Sequence, residues 1–119
     1  MFSFEGLDVY RKTRELVRDV YNIQKIFPVE ERYGLGDQIR RSVVSVTSNI
    51  AEGSGRDSYK EKIHFLEIAF GSLMETFSQL QNAQDLEYIH ENNVEELRPQ
   101  FDEIAKMLSG LKTSFKNKQ

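Results

Sequence analysis

Cysteine is absent from this chain, which excludes a disulfide framework, thiolate metal sites and a cysteine nucleophile together. Long apolar runs are absent as well. The longest uncharged run, Ser42 to Ala51, is far shorter than the ~20 residues a membrane span requires, so no membrane partner is expected. The opening MFSFEGLDVYR has neither a basic n-region nor an apolar h-region, so it does not read as a secretory signal and a cytoplasmic location is the expectation. Proline occurs twice and glycine seven times, with no low-complexity tract, linker or solenoid repeat. That describes one compact domain over residues 1–119, long enough to bury a core without metal or disulfide help. An excess of basic residues is missing too: the formal charge of −3 argues against nucleic-acid binding driven by net charge alone.

What is present is a repeated beat of apolar residues. Val9, Thr13, Leu16, Val20, Ile23 and Phe27 recur at spacings of four and three. Leu35, Ile39, Val43, Val46 and Ile50 make a second row, Tyr59 to Leu80 a third through Ile63, Leu66, Phe70, Leu73 and Phe77, and Val94 to Phe115 a fourth. Alternating four-three spacing is the seam of helices packed nearly parallel, so the sequence predicts an all-α, up-down-up-down antiparallel four-helix bundle.

The boundaries agree. Pro28 opens a short turn ahead of Gly34, and Gly53 is expected to provide a left-handed cap for the second helix. Ser58–Glu61 has capping-box spacing for the third helix, and Asn93–Glu96 resembles one for the fourth. Pro99 falls inside the fourth row and is expected to kink it or to mark its start.

The segment RRSVVSVTSNIAEGSGR, residues 40–56, sets Ser42, Ser45, Thr47 and Ser48 beside the Val/Ile row. Small hydroxyl residues let helices approach closely and bond back to helix carbonyls. Asn49 is expected to tie the Gly53–Gly55 turn to the helix end. A second apolar set lies outside the core rows: Tyr10, Val17 and Tyr21, then Val44, then Phe65, Ile68 and Ala69. A lone bundle needs about one stripe per helix, so self-association is expected, with Tyr10, Val17, Tyr21 and Phe65 as candidate interface residues.

Two Glu-x-x-His patterns, Glu61–His64 and Glu87–His90, raise the carboxylate-bridged metal site of some four-helix bundles. On one continuous helix the two histidines would stand roughly 39 Å apart, and neither lies in a core row. No phosphate-binding Gly-Lys-Ser loop, dinucleotide fingerprint or Gly-x-Ser-x-Gly elbow occurs. The expectation is therefore no enzyme, no cofactor, no metal and no small-molecule substrate.

In an up-down bundle, the start of the first helix, the second-to-third turn and the end of the fourth meet at one end. Arg11, Arg14, Arg56, Lys60, Lys112 and Lys116 gather there with Lys12, Lys62 and Lys118, against six acids, leaving a net charge of −6 for the rest of the chain. These six named residues are candidate nucleic-acid or anion contacts, and RNA or DNA is the second candidate partner after the chain itself. Ion pairs such as Arg11–Glu15 or Arg56–Asp57 are the competing use of the same charges.

The stretch YGLGDQIRRSVVSVTSNIAEGSGR followed by YKEKIHFLEIAFGSLMETF resembles the bacterial 23S rRNA-intervening-sequence proteins. The elements that carry the likeness are Tyr33–Leu35, Gln38–Arg41, Ser48–Gly53 (with Asn49, Glu52 and Gly53 as the structural motif), Gly55–Arg56, Phe65–Leu66, Ile68–Ala69, Gly71–Leu73 and Glu75. The resemblance implies an up-down four-helix bundle that assembles as a homopentameric ring. Some relatives are encoded within insertions in large-subunit rRNA genes, and a strongly basic branch assists the reverse transcriptases of diversity-generating retroelements.

Overall fold

The four apolar rows become four helices: α1 (Asp8–Gln24), α2 (Leu35–Ser54), α3 (Tyr59–Asp85) and α4 (Glu91–Lys116). The structure is a computed structural model that describes all 119 residues, with 3-10 turns at Ser3–Gly6 and Val29–Glu31 and no strand. Ser3 meets Ser54, and Gln24 binds Arg40, so α1 and α2 run in opposite senses. Ser42 beside Gln79 and Ser45 beside Ser72 reverse α3 against α2. Glu67 beside Lys112 and Phe77 beside Phe101 reverse α4. The ring of helices closes where Lys12 pairs with Glu103 and Gln100 donates to Asp19. α1 faces α3, and α2 faces α4, only across the diagonals, where no Cα atoms come within 8 Å. The result is the expected up-down-up-down bundle, 46 × 24 × 23 Å.

The core follows the rows closely. Leu16 and Val20, Ile39 to Ile50 of the second row, Leu73 and Leu80, and Ile104 and Leu108 are all fully buried. Each such side chain contributes roughly 1.5–3 kcal/mol of burial. α3 departs from its row. It also buries Ala69, Thr76, Gln79 and Ala83, while Phe70 and Phe77 remain half-buried.

Thr76 and Gln79 are buried because α2 presents a partner to each of them. Ser42 Oγ lies 2.8 Å from Gln79 Oε1 and 2.8 Å from Thr76 Oγ1. Each hydroxyl has one proton, so a consistent assignment runs from Thr76 to Ser42 to the Gln79 carbonyl. One step along, Ser45 and Ser72 are 2.9 Å apart, and Asn49 Nδ2 donates to Ser45 O and Oγ. No buried side-chain nitrogen or oxygen is left unpaired. Asn49 therefore bonds one turn back along α2, and the expected tie to the Gly53–Gly55 turn does not form.

Gly53 also differs from expectation. No residue at the end of α2 has a positive φ. Instead Gly53 is buried inside the helix, where a Cβ would stand 2.9 Å from the Phe65 Cβ. It is a close-approach glycine, and α2 ends one residue later at Ser54, capped by Gly55 with ordinary right-handed geometry.

The left-handed cap occurs on α3, at a residue that carries a side chain. Glu87 has φ 63°, with Tyr88 N–H bonded to Ala83 O and Glu87 N–H to Gln84 O, both at 2.9 Å. That pair of bonds is a Schellman motif with glutamate in place of the usual glycine. At the start of α3, Ser58 Oγ accepts from the Glu61 N–H as expected. α4 begins three residues earlier than its predicted box: His90 is the N-cap, and Asn93 is the third helical residue, its side chain accepting from the His90 N–H at 2.9 Å. Pro99 lies within α4 and does not start it. It is exposed, so the carbonyl deprived of a helical partner faces water.

Candidate functional site

The basic end is assembled by local contacts. Lys62 Nζ donates to Ser54 O, satisfying a carbonyl at the end of α2 across the short turn to α3. Tyr59 packs on Phe115 with ring centroids 5.5 Å apart, joining the start of α3 to the end of α4. Lys118 Nζ stands 6.0 Å from the centre of the Tyr59 ring.

The six candidate bases do not form one patch. Arg11 pairs with Asp8 and also donates to Gly6 O, so its expected pairing with Glu15 does not occur. Arg56 pairs with Glu52, the acid of the SNIAEG motif, and not with Asp57. Its guanidinium also lies 4.7 Å from the centre of the Phe65 ring. Lys112 is 3.7 Å from Glu67. Arg14, Lys60 and Lys116 have no carboxylate within 4 Å.

Of these three, Lys60 and Lys116 share an open groove of about 290 Å³ between the start of α3 and the end of α4, with His64, Glu67 and Gln119. Arg14 stands apart on α1, across the bundle diagonal from α3. Lys12, next to Arg14 in the same helix turn, is held protonated above its ordinary range by its hydrogen bond to Glu103, with the charge of Glu103 adding to the effect.

The Glu-x-x-His patterns do not converge. His64 is exposed and packs edge-on to Phe65 near the basic end, while His90 caps α4 at the other end. No three His, Asp or Glu side chains come together as a group able to hold a metal ion.

The second apolar set divides. Ala69 is buried, and Phe65 is half-buried between Gly53 and Arg56, so the exposure expected of Phe65 as an interface residue is largely used within the chain. Tyr10, Val17 and Tyr21 lie half-buried along the α1 side that faces α2 and pack against the edge of the core. Val44 and Ile68 are 38% and 37% exposed, and Met74, absent from the expected set, is 42% exposed.

The end opposite the basic one holds the YGL..QIRR segment. Arg40 donates to Gln24 Oε1 at 2.7 Å and to Arg32 O at 2.8 Å. Glu31 accepts from the Leu35 N–H with one carboxylate oxygen and from the Tyr88 hydroxyl with the other. This loop lock was not visible in the sequence, because Glu31 and Tyr88 are 57 residues apart and neither belongs to a capping pattern.

Taken together, an antiparallel bundle with a small-residue α2–α3 seam and the YGL..QIRR and SNIAEG segments at its two ends defines an all-α protein class. The chain belongs to the 23S rRNA-intervening sequence protein family, which matches it over residues 5–110. A crystal structure of a protein with unknown function from the S23 ribosomal protein family of Bacteroides thetaiotaomicron is similar, with a TM-score of 0.80 and 28% sequence identity. The likeness covers 88% of this chain and 95% of that one. No curated protein matches the chain. None of the helices is long and apolar enough to cross a membrane.

Proposed function

We propose that this protein is a non-enzymatic, homo-oligomeric scaffold or interaction module, a five-membered ring as the family resemblance implies. The observation that carries the reading is apolar surface on more than one side of a bundle whose core is already complete. Val44, Ile68 and Met74 are exposed on α2 and α3, and Tyr10, Val17 and Tyr21 of α1 are only partly buried. Leaving such surface in water is unfavourable, and covering it with a copy of the chain removes that cost. Light scattering on the purified chain tests the reading: assembly at micromolar concentration is expected, and a monomer there removes its basis.

A second reading, an RNA-binding ring, rests on Lys60 and Lys116 sharing one groove with no acid partner of their own. In a ring with aligned axes these grooves would repeat around one face and meet phosphates. Binding to structured RNA should then fall steeply with salt, and Lys60→Glu with Lys116→Glu should abolish it without dissociating the oligomer. Absence of binding by the wild-type protein at low salt rejects this reading and leaves the scaffold untouched.

A further inference from the structure

Resting on the homo-oligomer reading, we infer where two copies meet: the outer ridge of α3, centred on Gly71, receives the α1 row Tyr10–Arg14–Val17 of the neighbouring copy. The argument begins with a glycine that the single chain does not require. Glycine weakens a helix relative to alanine, and Gly71 sits near the middle of α3. Its φ is not positive, and a Cβ built on it would meet no atom within 4 Å. Gly53 is the contrast, since there a Cβ collides with Phe65.

Three positions before and after Gly71, on the same outward stripe, stand the exposed Ile68 and Met74. A residue with no side chain between two exposed apolar ones leaves a notch that a bulky group from outside can fill.

A matching row lies on α1, across the diagonal of the bundle from α3. Tyr10, Arg14 and Val17 follow one another at spacings of four and three, with Tyr10 and Val17 half-buried and Arg14 exposed. Arg14 makes no ion pair within the chain, and neither does Glu75, which lies one turn beyond Gly71 on the exposed side of α3. The two surfaces therefore offer free charges of opposite sign, Arg14 and Glu75, beside their apolar residues.

Their heights also agree. Lys12–Glu103 and Asp19–Gln100 level α1 against α4, and Phe77–Phe101 and Glu67–Lys112 level α3 against the same helix. Through α4, Tyr10 stands within about one turn of the height of Gly71, and Arg14 within about one turn of Glu75. α1 and α3 run in the same direction. Two copies side by side with parallel axes then set the tyrosine over the notch and the arginine beside the glutamate without vertical slip. Because the two surfaces differ, the contact is heterologous, and it closes into a ring when the rotation from copy to copy divides the circle. A second copy is the occupant, since the charge, height and shape of one side answer those of the other.

The test is native mass spectrometry of the full chain over a dilution series. Gly71→Gln should raise the dissociation constant at least about tenfold while circular dichroism keeps the full helix signal, because a Cβ at this position meets nothing within its own chain and glutamine is the better helix former. Arg14→Glu and Glu75→Arg should each weaken assembly by about tenfold, and the double exchange should restore it. A wild-type chain that stays monomeric at micromolar concentration overturns the oligomer reading and this contact with it. A wild-type oligomer that Gly71→Gln leaves intact, or a double exchange that recovers nothing, overturns the contact alone.

Discussion

The hydroxyl of Tyr88 donates to Glu31 Oε1 at 3.0 Å, and the other oxygen of the same carboxylate accepts the Leu35 N–H at 2.9 Å. One side chain thus holds both the start of α2 and the α3–α4 loop. The hydrogen bond to Glu31 raises the phenol above its ordinary range, and partial burial and the charges of Glu31 and Glu30 add to the shift. The folded chain therefore keeps this proton where the unfolded chain loses it. The stabilisation is complete below the ordinary phenol value of about 10 and fades as pH rises through and beyond it. Tyr88→Phe should lower stability at neutral pH and flatten the alkaline fall. Urea melts of both proteins between pH 7 and 11 check this, and parallel pH curves would refute it.

Gly53→Ala should destabilise the bundle even though alanine is the better helix former. The helix-propensity gain of about 1 kcal/mol is set against overpacking at a site where the nearest atom is a Cβ fixed to a backbone. A net loss of about 1–2 kcal/mol in chemical denaturation is the expected outcome. A rise in stability would show that α2 and α3 separate without cost.

Ser42 is the centre of the seam between α2 and α3, because it is the only hydroxyl that touches both Thr76 and Gln79. Ser42→Ala leaves the buried Gln79 carbonyl without its donor and should cost about 1–3 kcal/mol. Gln79→Leu removes the acceptor instead. If the pair acts as described, the double variant loses less than the two single losses combined, by at least about 0.5 kcal/mol. Equilibrium unfolding of the four proteins gives that difference directly.

Glu87→Gly should stabilise the protein, by up to about 1 kcal/mol. Glutamate at φ 63° sits in a region disfavoured for any residue with a Cβ, and glycine adopts it freely, at some cost in unfolded-state entropy. A higher thermal midpoint with unchanged circular dichroism is the expected result, and a lower one would mean that the Glu87 side chain stabilises the loop in another way.

The helices were legible in the sequence because their signal is local and repeated. Val43, Val46 and Ile50 announce a buried face by spacing alone, and all three are buried. Thr76 and Gln79 were not legible, since no periodicity indicates that a polar residue will find its partner 34 or 37 positions away. The hydroxyl-rich run of α2 was the available hint, and it pointed to the right helix without naming the acceptors. Gly53 was misread because a glycine near a helix end has two uses, and only the position of Phe65 distinguishes them. Asn93 was misread because a side-chain acceptor can serve from the third helical position as well as from the cap. The basic end was legible as a set of charges but not as a surface: Asp8, Glu52 and Glu67 neutralise half of the six candidates.

The ladder from Asn49 to Gln79 acts as a vernier between two rods. Sliding α2 along α3 by a single turn would part Ser42 from Gln79 and Ser45 from Ser72, and leave the buried Gln79 carbonyl without its hydroxyl donor. Neither helix can gain or lose residues in its interior without upsetting the other, so changes of length in this half of the molecule are confined to the turns that join the rods.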